Sequence, residues 1–232
     1  MSEIGFGGTT QGDGRRRSRV MARKLWWKRH LDCFVLITLG PVALVLMGFV
    51  AGSVLWKLGR PVLFWQERTG LGGRPFRLAK FRTMSEGPGS LGGMNDKDRT
   101  SAFGRWLRAL GLDELPQLWN VFRGDMSLVG PRPLLVEYLL LYTVEQARRH
   151  TVPPGLTGWA QVNGRNSQSW EERFDLDCWY LENASLWLDI RILTMTALLI
   201  VSRKRMWQCE QASMDRFHGS AQPALTRAGD DR

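Results

Sequence analysis

Chemistry-bearing residues are densest between Leu112 and Leu134, where the chain reads LDELPQLWNVFRGDMSLVGPRPL. Asp113 and Glu114 are adjacent and stand directly before a predicted helix with Pro116 in its first turn. Two readings compete for them. In one, Asp113 caps the helix and Glu114 favours its positive end. In the other, Asp113 is a rigidly held reacting carboxylate and Glu114 binds a hard cation such as Mg²⁺. Taken alone, the pair favours capping. Gly130-Pro131-Arg132-Pro133 follows. The two prolines hold Arg132 extended, so its guanidinium loses little entropy on meeting an anion. Arginine suits bidentate phosphate contact. Lys80 and Arg82 flank Phe81 and share one face if this stretch is a strand. Residues 153–166, PPGLTGWAQVNGRN, are rich in turns and amides. They suit a sugar, a base edge, or a purely structural loop. The chain has no Walker-type glycine loop and no dinucleotide fingerprint. His30, His150 and His218 suggest no Ser-His-Asp triad.

The elements that must position these groups begin with an apolar segment. Cys33 to Trp56 carries no charged residue. As a straight helix it would reach roughly 36 Å, against a bilayer hydrocarbon core of ~30 Å. Pro41, directly after Gly40, removes the hydrogen bond to the Ile37 carbonyl and predicts a kink, with Thr38 able to cap a freed carbonyl. Lys24, Lys28 and Arg29 flank one end, and Lys57 and Arg60 the other. Basic flanks prefer the cytoplasmic side, so both are satisfied only if the helix bends and returns. A re-entrant hairpin and a kinked spanning helix fit these facts about equally.

The formal charge of +10 is concentrated at the start of the chain, where residues 1–30 hold eight Lys or Arg and two acids. A basic run suits nucleic acid or an anionic membrane. Its position against the apolar segment favours the membrane. Cys33, Cys178 and Cys209 have no metal-ligand spacing and give no disulfide framework. Beyond the membrane segment, residues 61–81 read as short strands with glycine turns. Residues 85–98 read as a mobile loop. Helices are predicted over 102–110, 114–122, 170–182 and 184–206. An amphipathic helix is predicted within 133–150. The 184–206 helix fits a membrane interface or a core equally. Residues 208–232 read as a polar tail.

Several of these stretches together carry a resemblance. They are KRHLD (28–32), the Pro41-broken apolar segment, PVLFWQERTG (61–70), KFRTM (80–84), the 112–133 block, PGLTGWAQVNGRN (154–166) and LDCWY (176–180). In this order they resemble the small monotopic phosphoglycosyl transferases, the bacterial sugar transferases. The likeness runs from Lys28 to about Arg203.

The resemblance implies an α+β, mostly helical fold. A re-entrant membrane helix-break-helix would join a compact cytoplasmic catalytic domain with short strands and interfacial amphipathic helices. The expected divisions are a basic extension (1–23), the membrane helix (24–58), the catalytic domain (59–207) and the tail (208–232). It implies Asp113 and Glu114 as catalytic dyad, with Mg²⁺ on Glu114. Lys80, Arg82 and Arg132 are expected at phosphate, with Asp177, Gln161 and Arg165 as further substrate contacts. The implied reaction moves a sugar-1-phosphate from a UDP-sugar to undecaprenyl phosphate at the bacterial inner membrane, releasing UMP. A covalent phosphosugar on Asp113 is its intermediate.

Physics supplies one constraint on that reaction. A carboxylate ~4 Å from an anionic phosphate is repelled by about 4 kcal/mol at an effective dielectric of ~20, so cations must compensate. Two alternatives remain: a glycosyltransferase releasing UDP, and a membrane-anchored scaffold without catalysis. Nucleic acid is not an expected partner, whereas membrane lipid and downstream glycosyltransferases are. The sugar, the pathway and the oligomeric state, a homodimer among the options, stay open.

Overall fold

The computed structural model describes residues 10–84, 101–164, 168–202, 217 and 219, the side chains of 10–25 and 201 excepted. Mostly helical, with four short strands, it is an α+β arrangement.

Helix α1 runs Thr10–Leu58, 49 residues, and continues through Pro41. The break expected at Gly40-Pro41 is absent from its helical course. Thr38 Oγ1 donates to the carbonyls of Phe34 (2.8 Å) and Val35 (3.2 Å), not to that of Ile37. Such back-bonding bends a helix without ending it. Trp26–Leu58 is long and apolar enough to cross a membrane, and its most apolar window is only 6% buried by protein. Each half of α1 nevertheless touches the rest of the chain. Val35 and Leu36 pack on the core of Val121, Leu128 and Ile192. Val50 and Val54 pack with Phe81 and Leu107.

Strands β1 (Leu63–Thr69) and β2 (Pro75–Phe81) form an antiparallel hairpin. Its turn needs φ of +65° at Gly72 and +77° at Gly73, which glycine adopts without strain. Arg82 follows β2 and caps α1. Its guanidinium donates to the carbonyls of Leu58, Gly59 (2.8 Å) and Arg60 (3.0 Å). A cation on the last carbonyls of a helix satisfies orphan acceptors and the helix dipole together. Arg82→Ala is expected to cost about 2 kcal/mol, read as a lower thermal midpoint in detergent. An unchanged midpoint would remove this capping role.

Helix α2 (Ala102–Leu110) is capped by the Ser101 hydroxyl on Gly104 N–H and ends at left-handed Gly111. A 3-10 turn, Leu112–Glu114, leads into helix α3 (Gln117–Arg123). The helix predicted over 114–122 thus begins later, and the carboxylates stand in the turn before it. Strands β3 (Ser127–Val129) and β4 (Gly155–Thr157) pair in parallel. Gly130 and Gly155 let the two backbones meet, because a Cβ on either would strike main-chain atoms of the other segment.

The amphipathic helix predicted within 133–150 is instead broken. A 3-10 stretch (Val136–Leu140), helix α4 (Val144–Ala147) and another 3-10 stretch (Arg148–Thr151) replace it. Thr143 and Gln146 form a reciprocal capping box that restarts the helix. Helix α5 (Trp159–Asn163) precedes α6 (Trp170–Asn183), capped by Ser169 and Glu172, and α7 (Leu186–Val201), capped by Ser185. Helix α7 is a core helix on one face, where Leu188 and Ile192 are buried, and leaves Trp187 and Leu198 exposed on the other. Phe217 is buried among Tyr138, Tyr142, Trp170 and Phe174, so the tail is not wholly polar solvent-facing chain. The loop predicted over 85–98 lies outside the described residues.

Candidate active site

The 3-10 turn after α2 places Asp113 and Glu114 where the hairpin, α2 and the 127–134 segment converge. Both are buried, at 7% and 8% exposure. Asp113 does not cap α3: the residue at that position is Pro116, and no side chain caps the helix start. Among the described residues, the Asp113 carboxylate makes no hydrogen bond or ion pair. Burial, and then the neighbouring Glu114 charge, push its pKa up, while Lys80, Arg108 and Arg132 oppose that rise.

Glu114 is held differently. Its Oε1 accepts from Lys80 Nζ at 3.0 Å and from Arg132 Nη2 at 2.7 Å. Lys80 comes from β2 and Arg132 from the extended Gly-Pro-Arg-Pro segment. That segment is fixed on the β4 side. Gly130 N–H donates to the Thr157 carbonyl and Gly155 N–H to the Pro131 carbonyl, both at 2.9 Å. The Pro-Gly-Leu-Thr-Gly stretch is thus a brace for Arg132.

A second brace lies behind it. Buried Arg149 donates from Nη2 to the Arg132 carbonyl at 2.8 Å. The same nitrogen is 2.8 Å from Asp177 Oδ2. Asp177, expected at substrate, instead lies buried behind Arg149, which separates it from Arg132. Gln161 lies on α5 against Gly158, where a Cβ would come within 2.6 Å of its Oε1. Arg82 caps α1 and is not brought to Glu114. This corrects the expectation that Lys80 and Arg82 act as a pair: only Lys80 reaches the dyad. Arg165 lies outside the described residues.

Three further arginines complete the electrostatics. Burial, followed by repulsion from Arg132, lowers the pKa of Arg68 and of Arg173 to about 10. Arg108 opposes the rise at Asp113 and donates from Nε to Thr83 Oγ1 at 2.9 Å. Sequence reasoning passed over Arg68, Arg108, Arg149 and Arg173 because none stands in a phosphate-binding pattern. Their convergence is a property of the fold. His150 is kept neutral, its pKa lowered to about 4 by burial and by Arg149.

The result, among the described residues, is one carboxylate without a partner, a second clamped by two cations, and guanidinium groups around both. This arrangement suits chemistry at a phosphorus atom, where anionic oxygens need compensation. A family model described as bacterial sugar transferase matches residues 23–203.

The chain belongs to the bacterial sugar transferase family.

The resemblance read from the motifs is therefore membership, and the chain is an enzyme of the phosphoglycosyl transferase class. It is 49% identical over 194 residues to the "Uncharacterized sugar transferase EpsL" of Bacillus subtilis, covering 83% of this chain and 96% of that one. It is 38% identical over 208 residues to a UDP-glucose:undecaprenyl-phosphate glucose-1-phosphate transferase of Xanthomonas campestris, covering 84% of this chain and 42% of that one. A protein of the same name from Caulobacter vibrioides is 40% identical over 180 residues, covering 73% of this chain and 67% of that one. The chain thus spans almost all of the first relative but under half of the second. Membership and the exposed apolar face of α1 fit association with a membrane.

Proposed function

We propose that this sugar transferase moves a sugar-1-phosphate from a UDP-sugar to a polyprenyl phosphate such as undecaprenyl phosphate. The observation that carries the reading is the asymmetry of the dyad. Asp113 is unpartnered among the described residues, while Glu114 is fixed by Lys80 and Arg132. A carboxylate spared hydrogen bonds keeps its lone pairs for attack. Relatives whose names state transfer of glucose-1-phosphate or galactose phosphate to undecaprenyl phosphate support the substrate classes.

In the first step, an Asp113 oxygen attacks the phosphorus nearest the sugar. The bond to the nucleotide phosphate breaks, and UMP departs with its electron pair. In the second step, an oxygen of the carrier phosphate attacks the same phosphorus. The bond to Asp113 breaks, and the carboxylate is restored. Two anionic substrates thereby use one site in turn. Lys80 and Arg132 stay fixed on Glu114 and offset charge on the diphosphate.

Among the described residues, no cluster of three metal-ligating side chains exists. Two adjacent carboxylates nonetheless fit Mg²⁺, which commonly takes one or two carboxylates and completes its shell with water and substrate phosphate. Glu114 would hold it, leaving the Asp113 oxygens for attack. When bound, it supplies positive charge beside the diphosphate.

We further propose that α1, although helical through Pro41, bends there within the bilayer and returns, so that both halves reach the same domain and the dyad stays at the cytoplasmic face of the inner membrane. Exposed Trp106 on α2, and Trp119 and Phe122 on α3, suit the headgroup layer. The test is incubation of the protein with UDP-sugars, Mg²⁺ and undecaprenyl phosphate, with UMP and UDP measured separately. Mg²⁺-dependent UMP release is expected. Release of UDP would overturn the reading in favour of glycosyl transfer. Transfer activity that survives neutralising both Asp113 and Glu114 would remove the dyad from the chemistry.

A further inference from the structure

Arg68 lies on the hairpin face that serves the dyad. Residues directly opposite in an antiparallel pair share a face, as do alternate residues along a strand. Lys80 stands opposite Phe64, Leu78 opposite Gln66, and Phe76 opposite Arg68. Lys80, Gln66 and Arg68 thus form one row. One end of the row reaches Glu114 through Lys80. The other end is tied beside Arg132. Thr69 donates to the Leu134 carbonyl from its N–H at 3.0 Å and from its hydroxyl at 3.2 Å.

The guanidinium of Arg68 is under-used for a half-buried place. Its hydrogen bond is to the neutral amide of Gln66, from Nη2 to Oε1, at 2.6 Å. Among the described residues it makes no ion pair. Arg132 repels it more strongly than Glu114 attracts it. A guanidinium has five donors, and enclosing one without a carboxylate partner is costly unless an anion meets it. The row has a purpose if an anion arrives with the substrate.

We propose that Arg68 binds a substrate phosphate beside Arg132, as a further substrate-binding residue of the site. The proposal rests on the phosphoglycosyl transfer reading. The chemistry recognised is an anionic phosphate oxygen, which has two sources: the diphosphate of the nucleotide donor and the phosphate of the lipid carrier. Arg68 and Lys80, on one row, would grip the anion from two positions and orient it past the dyad.

The test measures binding without turnover. Full-length protein in detergent, wild type, Arg68→Gln and Arg68→Lys, is titrated with UDP and separately with farnesyl phosphate. Unliganded thermal midpoints are recorded alongside. Arg68→Gln is expected to weaken at least one probe by about 10-fold while its midpoint stays near wild type. Loss on UDP alone assigns Arg68 to the donor, and loss on farnesyl phosphate alone assigns it to the carrier. Loss on both makes it common to the two steps. Arg68→Lys, which keeps the charge but not the fork, is expected to fall between, and it decides the matter if Arg68→Gln does not fold. Unchanged binding of both probes overturns the proposal, as does wild-type protein that binds neither. UMP release by wild type, assayed separately, reports whether the underlying reading holds.

Discussion

Asp113→Asn is expected to reduce UMP release by roughly 10³-fold or more, a barrier increase of about 4 kcal/mol. The amide matches the carboxylate in size but is too weak a nucleophile to form the phosphosugar intermediate. The same change is expected to raise the thermal midpoint. Burial and the Glu114 charge raise the folded-state pKa of Asp113 above its ordinary value. The folded chain therefore holds that proton more tightly than the unfolded chain does. The stability this confers is present at low pH and is lost as pH rises through the folded pKa. At neutral pH the charged group works against the fold, and asparagine removes that cost. The reacting form is the ionised one, so the acidic limb of the pH–rate profile should lie above the ordinary aspartate range. A variant that keeps a tenth of the rate, or an acidic limb at the ordinary value, would refute the nucleophile assignment.

Lys28→Met is expected to cost about 3–5 kcal/mol, seen as a midpoint lowered by roughly 10 °C or more. Lys28 and Asp189 are 3% and 1% exposed and form an ion pair at 2.6 Å. Lys28 also donates to Tyr180 Oη at 2.7 Å, and Tyr180 donates to Asp189 Oδ1 at 2.6 Å. The triad joins α1 to α6 and α7. Removing the lysine leaves a carboxylate buried without its cation. The double variant Lys28→Met/Asp189→Leu is expected to recover much of the loss, because neither charge is then stranded. A double variant no more stable than the single would mean that the pair acts through more than charge compensation. These changes lie away from the dyad, so folded protein should keep the Mg²⁺ dependence proposed for the transfer.

The triad also shows what the sequence made legible and what it did not. Lys28 and Arg29 read as basic flanks of an apolar segment, and by charge counting that is all they are. In the fold Lys28 is buried, and Arg29 donates to the carbonyls of Val121 and Phe122, both at 2.6 Å, at the end of α3. Asp32 Oδ1 accepts from Leu128 N–H at 2.9 Å and from the Ser127 hydroxyl at 3.1 Å. The KRHLD stretch is thus a docking strip between α1 and the catalytic domain. Long-range pairing of this kind leaves no periodic trace, since its partners lie about 90 to 160 positions away.

Local signals fared better. Glycine turns marked the hairpin, and the helix predicted over 170–182 matches α6 to within one residue. The adjacent acids and the Pro-Arg-Pro triplet stood out as local patterns, but taken alone the acid pair favoured capping, and only the family resemblance made it a dyad. Asp177 could be named but not placed, because its partner Arg149 was an anonymous cation in a predicted amphipathic helix. Arg82 was misplaced for the opposite reason. Alternation put it beside Lys80, but the strand ends at Phe81 and the carbonyls closing α1 take its guanidinium.

Phe217 gives the boundary of this protein a practical meaning. The family match stops at residue 203, and every motif lies inside it. Yet Phe217 fills an aromatic socket whose walls, Tyr142 and Phe174, lie under the Arg149 guanidinium that braces Arg132. A chain trimmed to the family-matched residues would keep Asp113, Glu114, Lys80 and Arg132 while opening a hole two contacts from Arg132. Shortened forms made for crystallisation or engineering should therefore end beyond Gly219, and an affinity tag is better placed after a spacer than against the socket.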